Sequence, residues 1–266
     1  MIARARTPPA TVTAQVAIAI GLLLAWEWGS TTGHLDPFFF SRPSQVALRV
    51  WQWVASGALW LHVSTTFAEA LLSFAIGALL GILFGFSLAS VPVLATIVEP
   101  YIRIANALPR VVLAPVFLLW FGLGIWSKVA LGVTVVFFVV FFNAYRAVRE
   151  VDAVLLDNVR MLGASRAQLL RHVVVPSAMT WIFSSLHVSI GMAIIAVVVG
   201  EYLGASRGVG YLIAQSEGVF DTTGVFAGMT VLAAGVLVVG AAVGRLERWL
   251  LRWKPEYAES RVGRPQ

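Results

Sequence analysis

The chain of 266 residues contains no cysteine. Disulfides, thiolate metal sites and thiol nucleophiles are therefore excluded. Charge is scarce as well: 12% of residues are charged, where an ordinary soluble domain has about a quarter. That shortage rules out a water-soluble globule. No HExxH or P-loop pattern occurs, so neither a metalloprotease nor a nucleotide hydrolase is written here. His34, His62, His172 and His187 are scattered and read as interfacial or packed residues rather than metal ligands. An integral membrane enzyme would need polar catalytic groups clustered at one interface, and none appears. The reading is a chain that is not an enzyme and holds no cofactor of its own.

What is present is apolar. Hydrophobic residues make up 59% of the chain and the mean hydropathy is +0.86. The apolar blocks reach the roughly 20 residues that a helix needs to cross a bilayer. They are continuous rather than alternating, which argues against a β-barrel. The expected fold is all-α: a polytopic membrane bundle of six transmembrane helices within residues 11–245, with tails at 1–10 and 246–266. The spans are expected near residues 11–28, 66–90, 93–121, 128–145, 178–203 and 222–245. The third is interrupted by Pro100, Pro109 and Pro115. Its crossing portion is placed at 103–121, because prolines remove backbone donors and bend helices. The first apolar block is long for a signal peptide and lacks a small-x-small cleavage site, so it reads as an uncleaved span. The segment from Gly244 to Pro255 reads as a short amphipathic helix, with Arg245, Arg248, Arg252 and Lys254 among headgroups and Trp249, Leu250 and Trp253 in the interface.

Arginine distribution sets the orientation. Arg4 and Arg6, the five arginines between Arg146 and Arg171, and the cluster from Arg245 to Arg264 fall on one set of connections. Arg42, Arg49, Lys128 and Arg207 fall on the other. The richer side is the cytoplasmic one, which places both termini and residues 146–176 inside. The net charge of +6 is then membrane topology and contact with anionic lipid, not a nucleic-acid patch.

Small residues recur at helical spacing, Gly77, Gly81 and Gly85 in the second span and Gly240 and Gly244 in the last. Such spacing lets backbones approach in lipid, and the reading is packing inside the bundle. Charges inside spans are functional candidates by default. Arg103 and Arg110 on the third span and Glu201 near the end of the fifth are the pathway candidates. For the arginines the alternative is a carboxylate partner or a headgroup; for Glu201 it is ordering of the outer connection.

The most informative segment is the charged island at 146–176. Asp152 is a good N-cap, and Leu155, Val159 and Leu162 make one apolar face. Gly163 suits the left-handed corner that ends a helix. Ser165 and Gln168 form a capping-box pattern for a second helix, whose apolar side is Leu169, Leu170, Val173 and Val174. Pro176 is expected to stop that helix. Helix, glycine corner, helix between two spans is the layout of a docking surface. A DNA-reading helix pair is excluded by the membrane anchors at both ends.

The island resembles the cytoplasmic loop of permease subunits of ATP-binding-cassette importers. That family's pattern is Glu-Ala-Ala, three residues, Gly, nine residues, Ile-x-Leu-Pro. Here it reads Asp157-Asn158-Val159, Arg160-Met161-Leu162, Gly163, then Val173-Val174-Val175-Pro176. The spacing is kept, while Asp stands for Glu and Asn-Val for Ala-Ala. The resemblance covers residues 10–255 and is nearest the nitrate, sulfonate and taurine branch. The branch is carried by Leu108-Pro109-Arg110, Ala114-Pro115-Val116, Trp120-Phe121-Gly122-Leu123-Gly124, Gly200-Glu201-Tyr202-Leu203-Gly204, Arg207-Gly208-Val209-Gly210-Tyr211 and Phe220-Asp221-Thr222.

The resemblance implies a subunit that forms the translocation pathway without hydrolysing ATP, which a partner ATPase binds. The implied ATPase-coupling residues are Asp157, Asn158, Val159, Arg160, Gly163, Ala164 and Pro176. The implied partners are cytoplasmic ATPase subunits, an extracytoplasmic solute-binding protein, a second permease copy and membrane lipid. The expected solute is a small anion, a sulfonate, taurine or nitrate; a pyrimidine precursor is the rival. An ion-coupled secondary transporter is the other class, for which midplane carboxylates and internal repeats are the missing signals.

Overall fold

The computed structural model describes residues 9–250, and among these every regular element is helical. The chain falls into two units, one of residues 1–61 with 212–266 and the other His62–Tyr211. Five helices are long and apolar enough to cross a membrane, and one bent pair makes a sixth crossing if its halves count as one span.

The second unit holds most of α4 (Ala58–Ala89), then α5 (Pro92–Ala107), a 3-10 turn (Arg110–Leu113), α6 (Ala114–Phe121) and α7 (Ile125–Arg149). After these come α8 (Ala153–Met161), α9 (Arg166–Leu169), a π turn (Leu170–Val174) and α10 (Val175–Gly204). Its centre is α7, which packs along α10 and buries Val136, Val140, Phe141 and Ala144. The glycine row of α4 lies against that same helix. A Cβ built on Gly77 would stand 2.7 Å from Val136 Cβ, on Gly81 2.9 Å from the Phe137 carbonyl, and on Gly85 2.8 Å from Ala144 Cβ. The small residues thus serve packing within the bundle, where close backbone approach replaces the missing hydrophobic drive in lipid. Leu71, Leu79 and Leu83 point outward from α4.

The third span departs from the expected single crossing at 103–121. α5 and the segment Arg110–Phe121 meet at 86°. The break sits at Leu108, which is extended (φ −66°, ψ 130°) ahead of Pro109. A residue before proline is pushed out of the α region, and that local rule ends α5. Pro100 lies inside α5 without ending it, and Pro115 falls in the first turn of α6, where its missing donor costs nothing.

The first unit comprises α1 (Pro9–Thr31), α2 (Pro37–Phe40), α3 (Pro43–Ala55), most of α11 (Val209–Gly218) and α12 (Thr222–Leu250). The short helices α2, α3 and α11 were not expected, because each is too short to register as a span. α3 packs on α12 and α1. The Glu27 carboxylate accepts from the Ser44 amide and hydroxyl at 2.9 and 2.8 Å, fixing the start of α3. Arg49 pairs with Asp221, whose carboxylate also accepts from the Gly224 amide at 3.1 Å and caps α12. α12 continues unbroken past Arg245 to Leu250. The remainder of the expected amphipathic segment, and the amino-terminal tail through residue 8, lie outside the described residues.

Candidate functional site: an exposed island and a buried charge cluster

The island folds by the local signals that the sequence carries, with one correction. The Asp152 side chain caps α8 by accepting from the Val154 amide at 2.8 Å. Gly163 takes φ +84°, a left-handed corner that disfavours any Cβ. The capping box is complete: the Gln168 amide donates to Ser165 Oγ at 3.3 Å and the Ser165 amide to Gln168 Oε1 at 2.8 Å. Pro176, however, does not stop the second helix. α9 passes through the π turn directly into α10, with Pro176 in its first turn. A proline ring collides with the carbonyl four residues earlier. A π turn widens the helix just ahead of that position and accommodates the ring.

The coupling candidates lie open. Asp157, Asn158, Arg160, Gly163 and Pro176 are exposed; Val159 and Ala164 are half-buried. Asp157 and Arg160 bridge each other at 2.9 Å. Of the expected apolar face of α8, Leu155 and Leu162 are open and Val159 is half-buried; Met161 and Val154 beside it are also exposed, Met161 at 80% and Leu162 at 86%, among the described residues. Leu169 and Val173, on the second helix, are buried. One helix of the island is thus anchored and the other presents apolar side chains beside a surface ion pair.

The three pathway candidates take separate partners. Arg103 is exposed and pairs with Glu99 one turn earlier at 2.5 Å. Arg110 folds back over the end of α5. Its guanidinium donates to the carbonyls of Ala105 and Leu108, each at 2.8 Å, and to the carbonyl and side-chain oxygens of Asn106 at 3.0 and 2.7 Å. It also stands 4.5 Å from the centre of the Phe138 ring. The last carbonyls of a helix have no partner within it, and at the break Arg110 supplies one. Glu201 is 1% exposed. Its Oε1 accepts from Thr66 Oγ1 at 2.7 Å and its Oε2 from the Gly210 amide at 2.8 Å.

Glu201 belongs to a buried set that the sequence reading did not assemble. Glu69 and Lys128 are 3% and 1% exposed, and the Lys128 stem lies against Gly200, next to Glu201: a Cβ built on Gly200 would stand 3.2 Å from Lys128 Cγ. Lys128 Nζ donates to the carbonyls of Leu123 at 2.8 Å and Gly124 at 3.1 Å. The Thr66 hydroxyl accepts from the Val209 amide at 2.9 Å, and His62 Nδ1 from the Gly208 amide at 3.0 Å. The signal was available. His62, Thr66, Glu69 and Ser73 recur at intervals of four, three and four along α4, one helical face, and Gly77, Gly81 and Gly85 continue it. Glu201 and Lys128 are contributed by other helices, so only the tertiary fold brings them to this stripe. No group of residues able to hold a metal ion occurs among those described. In the first unit a groove of about 220 Å³ opens beside the Arg49–Asp221 pair, with Trp53, Gln215 and Ser216 on its wall.

Against known proteins, residues 77–253 match the family model for the binding-protein-dependent transport system inner membrane component. The riboflavin transport system permease protein RibX of Chloroflexus aurantiacus is 34% identical over 233 residues, covering 88% of this chain and 87% of that one. The putative aliphatic sulfonates transport permease protein SsuC of Bacillus subtilis is 30% identical over 236 residues, covering 89% and 86%. The formylaminopyrimidine transport permease protein ThiX of Halalkalibacterium halodurans is 31% identical over 233 residues, covering 88% and 92%. Among solved structures, an amino acid ABC transporter determined with histidines shares the fold at a TM-score of 0.61 and 17% identity, over 75% of this chain and 95% of that one.

Proposed function

The chain belongs to the binding-protein-dependent inner-membrane component family, as a multi-pass ABC importer permease subunit and not an enzyme, and from that premise we propose how it couples and what it carries. The island is the seat of a cytoplasmic ATPase subunit, which binds the ATP. Asp157, Asn158, Val159, Arg160, Gly163, Ala164 and Pro176 form or shape the seat. The observation that supports this is the uncovered apolar face of α8, with Met161 and Leu162 beside the Gly163 corner. A water-facing connection gains nothing by exposing two large apolar side chains side by side unless another surface covers them. A second permease copy and an extracytoplasmic binding protein complete the assembly. Nucleotide then shifts a two-state equilibrium of the pathway.

The solute we propose is a small anion: a sulfonate, taurine or nitrate. Arg103 supports it, as the exposed cation of the bent span, its partner Glu99 making one contact pair at the helix surface. Arg110 is occupied by backbone carbonyls and reads as a brace for the bend. The direct test is growth of a strain lacking the permease. Loss of growth on taurine or an alkanesulfonate as sole sulfur source, or on nitrate as sole nitrogen source, is expected. Normal growth on all of these with loss on a pyrimidine precursor overturns the anion in favour of its rival. Orientation is read separately: single cysteines replacing Ser165 and Ser206 are expected to label from opposite sides of the membrane, and labelling of both from one side overturns it.

A further inference from the structure

The connection between α10 and α11, residues 205–208, leads from a span end to the start of a helix, and its geometry is unusual. Ser206 and Arg207 are exposed, whereas Gly208, Val209 and Gly210 are buried. Three consecutive amides, of Gly208, Val209 and Gly210, each donate to a side chain: His62 Nδ1, Thr66 Oγ1 and Glu201 Oε2. The first amides of a helix have no partner within it, and here two side chains of α4 and one of α10 supply partners. The approach is so close that a Cβ on Gly208 would stand 2.1 Å from Glu201 Cδ, and one on Gly210 2.4 Å from the Val198 carbonyl. The His62 and Tyr211 rings stack with their centroids 5.8 Å apart.

Behind this clasp lies the rest of the buried charge. Lys128 ties the turn between α6 and α7 through two carbonyls, and its stem lies against Gly200, the residue before Glu201. Burying ionisable side chains is costly unless their polar atoms find partners. Retaining three of them in one place makes sense where they fix positions that apolar packing leaves free. What they fix is the connection after α10 and the turn before α7.

We propose that His62, Thr66 and Glu201, backed by Glu69 and Lys128, form a latch that makes the α10–α11 connection move as one body with α4 and α10. These are positioning residues. They carry a displacement imposed on the island end of α10 through to the connection at its other end. Without the latch the connection follows its own motion and no longer reports the state of the helices. This rests on the coupling reading above, in which nucleotide acts at the island.

Because the chain has no cysteine, Ser206→Cys gives a unique attachment point on an exposed residue of the latched segment. The test uses the full-length permease, copurified with the ATPase of its own cell and reconstituted in nanodiscs, with a bimane dye at that position. Two quantities are read: amide exchange across residues 204–212, and the change in dye emission on trapping ADP–vanadate. In the unaltered latch the amides are protected and the emission changes on trapping. Thr66→Val removes one donor and one acceptor at nearly constant volume. Exchange is expected to rise about tenfold, the shift of one lost buried hydrogen bond. The emission change is expected to disappear while vanadate trapping persists, and Thr66→Ser is expected to restore both. If Thr66→Val fails to insert, His62→Phe keeps the ring stack, loses one acceptor and is expected to show the same changes at smaller amplitude. Unprotected amides in the parent protein, a full emission change in Thr66→Val or His62→Phe, or no restoration by Thr66→Ser each overturns the latch. Absence of a copurifying ATPase would strike the coupling reading alone, and amide exchange still judges the latch.

Discussion

Two groups of charged residues sit within the unit His62–Tyr211 and meet their partners in opposite ways. Glu69, Lys128 and Glu201 are withdrawn from solvent, and two of the three are engaged by backbone groups, Glu201 in the first turn of α11 and Lys128 in the turn before α7. Asp157 and Arg160 stand in the open with each other, next to apolar side chains that nothing among the described residues covers. The first group is complete among the described residues apart from one unpartnered carboxyl oxygen of Glu69; on the coupling reading proposed above, the second is completed by a partner. A substitution in the first group is therefore felt by the fold, and one in the second by assembly. The contrast separates what the protein needs to stand from what it needs to work.

The largest effect that would test this contrast is at Glu201. Glu201→Ala leaves the Gly210 amide and the Thr66 hydroxyl without their acceptor. A loss of about 3 kcal/mol is expected, the range for uncompensated buried polar groups and broken buried pairs. It should appear as a lower unfolding midpoint of the detergent-solubilised protein and less of it in membranes. A stability equal to that of the parent would mean that the cluster does not hold the fold, and the contrast would fail at its first half.

The second half is tested at Leu162. It is among the most exposed apolar side chains on the island, so Leu162→Glu should leave the unfolding midpoint within the ordinary surface range of about 0.5 kcal/mol. Copurification of the ATPase should fall by about tenfold or more, as for an apolar anchor of an interface. Gly163→Val probes the same surface through the backbone. At φ +84° a β-branched residue costs roughly 1–2 kcal/mol, enough to redirect the corner without unfolding the bundle. Transport should drop while insertion persists, and unchanged transport with unchanged ATPase association would remove the corner from the mechanism.

How much of this was legible follows the same division. The island was readable because its signals are local: Asp152, Gly163, Ser165 and Gln168 act within four residues of their partners, and the structure forms each of those caps and turns. Pro176 misled because the π turn that accommodates it has no letter of its own. The break at Leu108-Pro109 was visible as proline, but its place depended on choosing among three prolines, and only Pro109 has an extended residue before it. The buried cluster was half legible. The stripe His62, Thr66, Glu69, Ser73 is a helical pattern on α4, whereas the meeting of Glu69 with Lys128 and Glu201 joins residues 59 and 132 positions apart. No local rule reaches that far.

The smallest expected effect sharpens the contrast, because Arg103 belongs to neither group. It is charged and exposed like the island, yet it is paired like the cluster, with Glu99 a turn away on the same helix. An exposed pair at that spacing contributes little to a fold, so Arg103→Gln should insert and associate with the ATPase normally. If the guanidinium faces the pathway, its removal also lowers the local potential that an anion meets on the bent span. Uptake of the anion is then expected to slow about threefold, the scale of one exposed charge contact, with no change in the unfolding midpoint. The control is Glu99→Gln, which frees the guanidinium and should speed uptake or leave it unchanged. Slower uptake in both variants would mean that the pair matters as a pair, a brace for α5. Normal uptake in Arg103→Gln would take Arg103 out of the pathway.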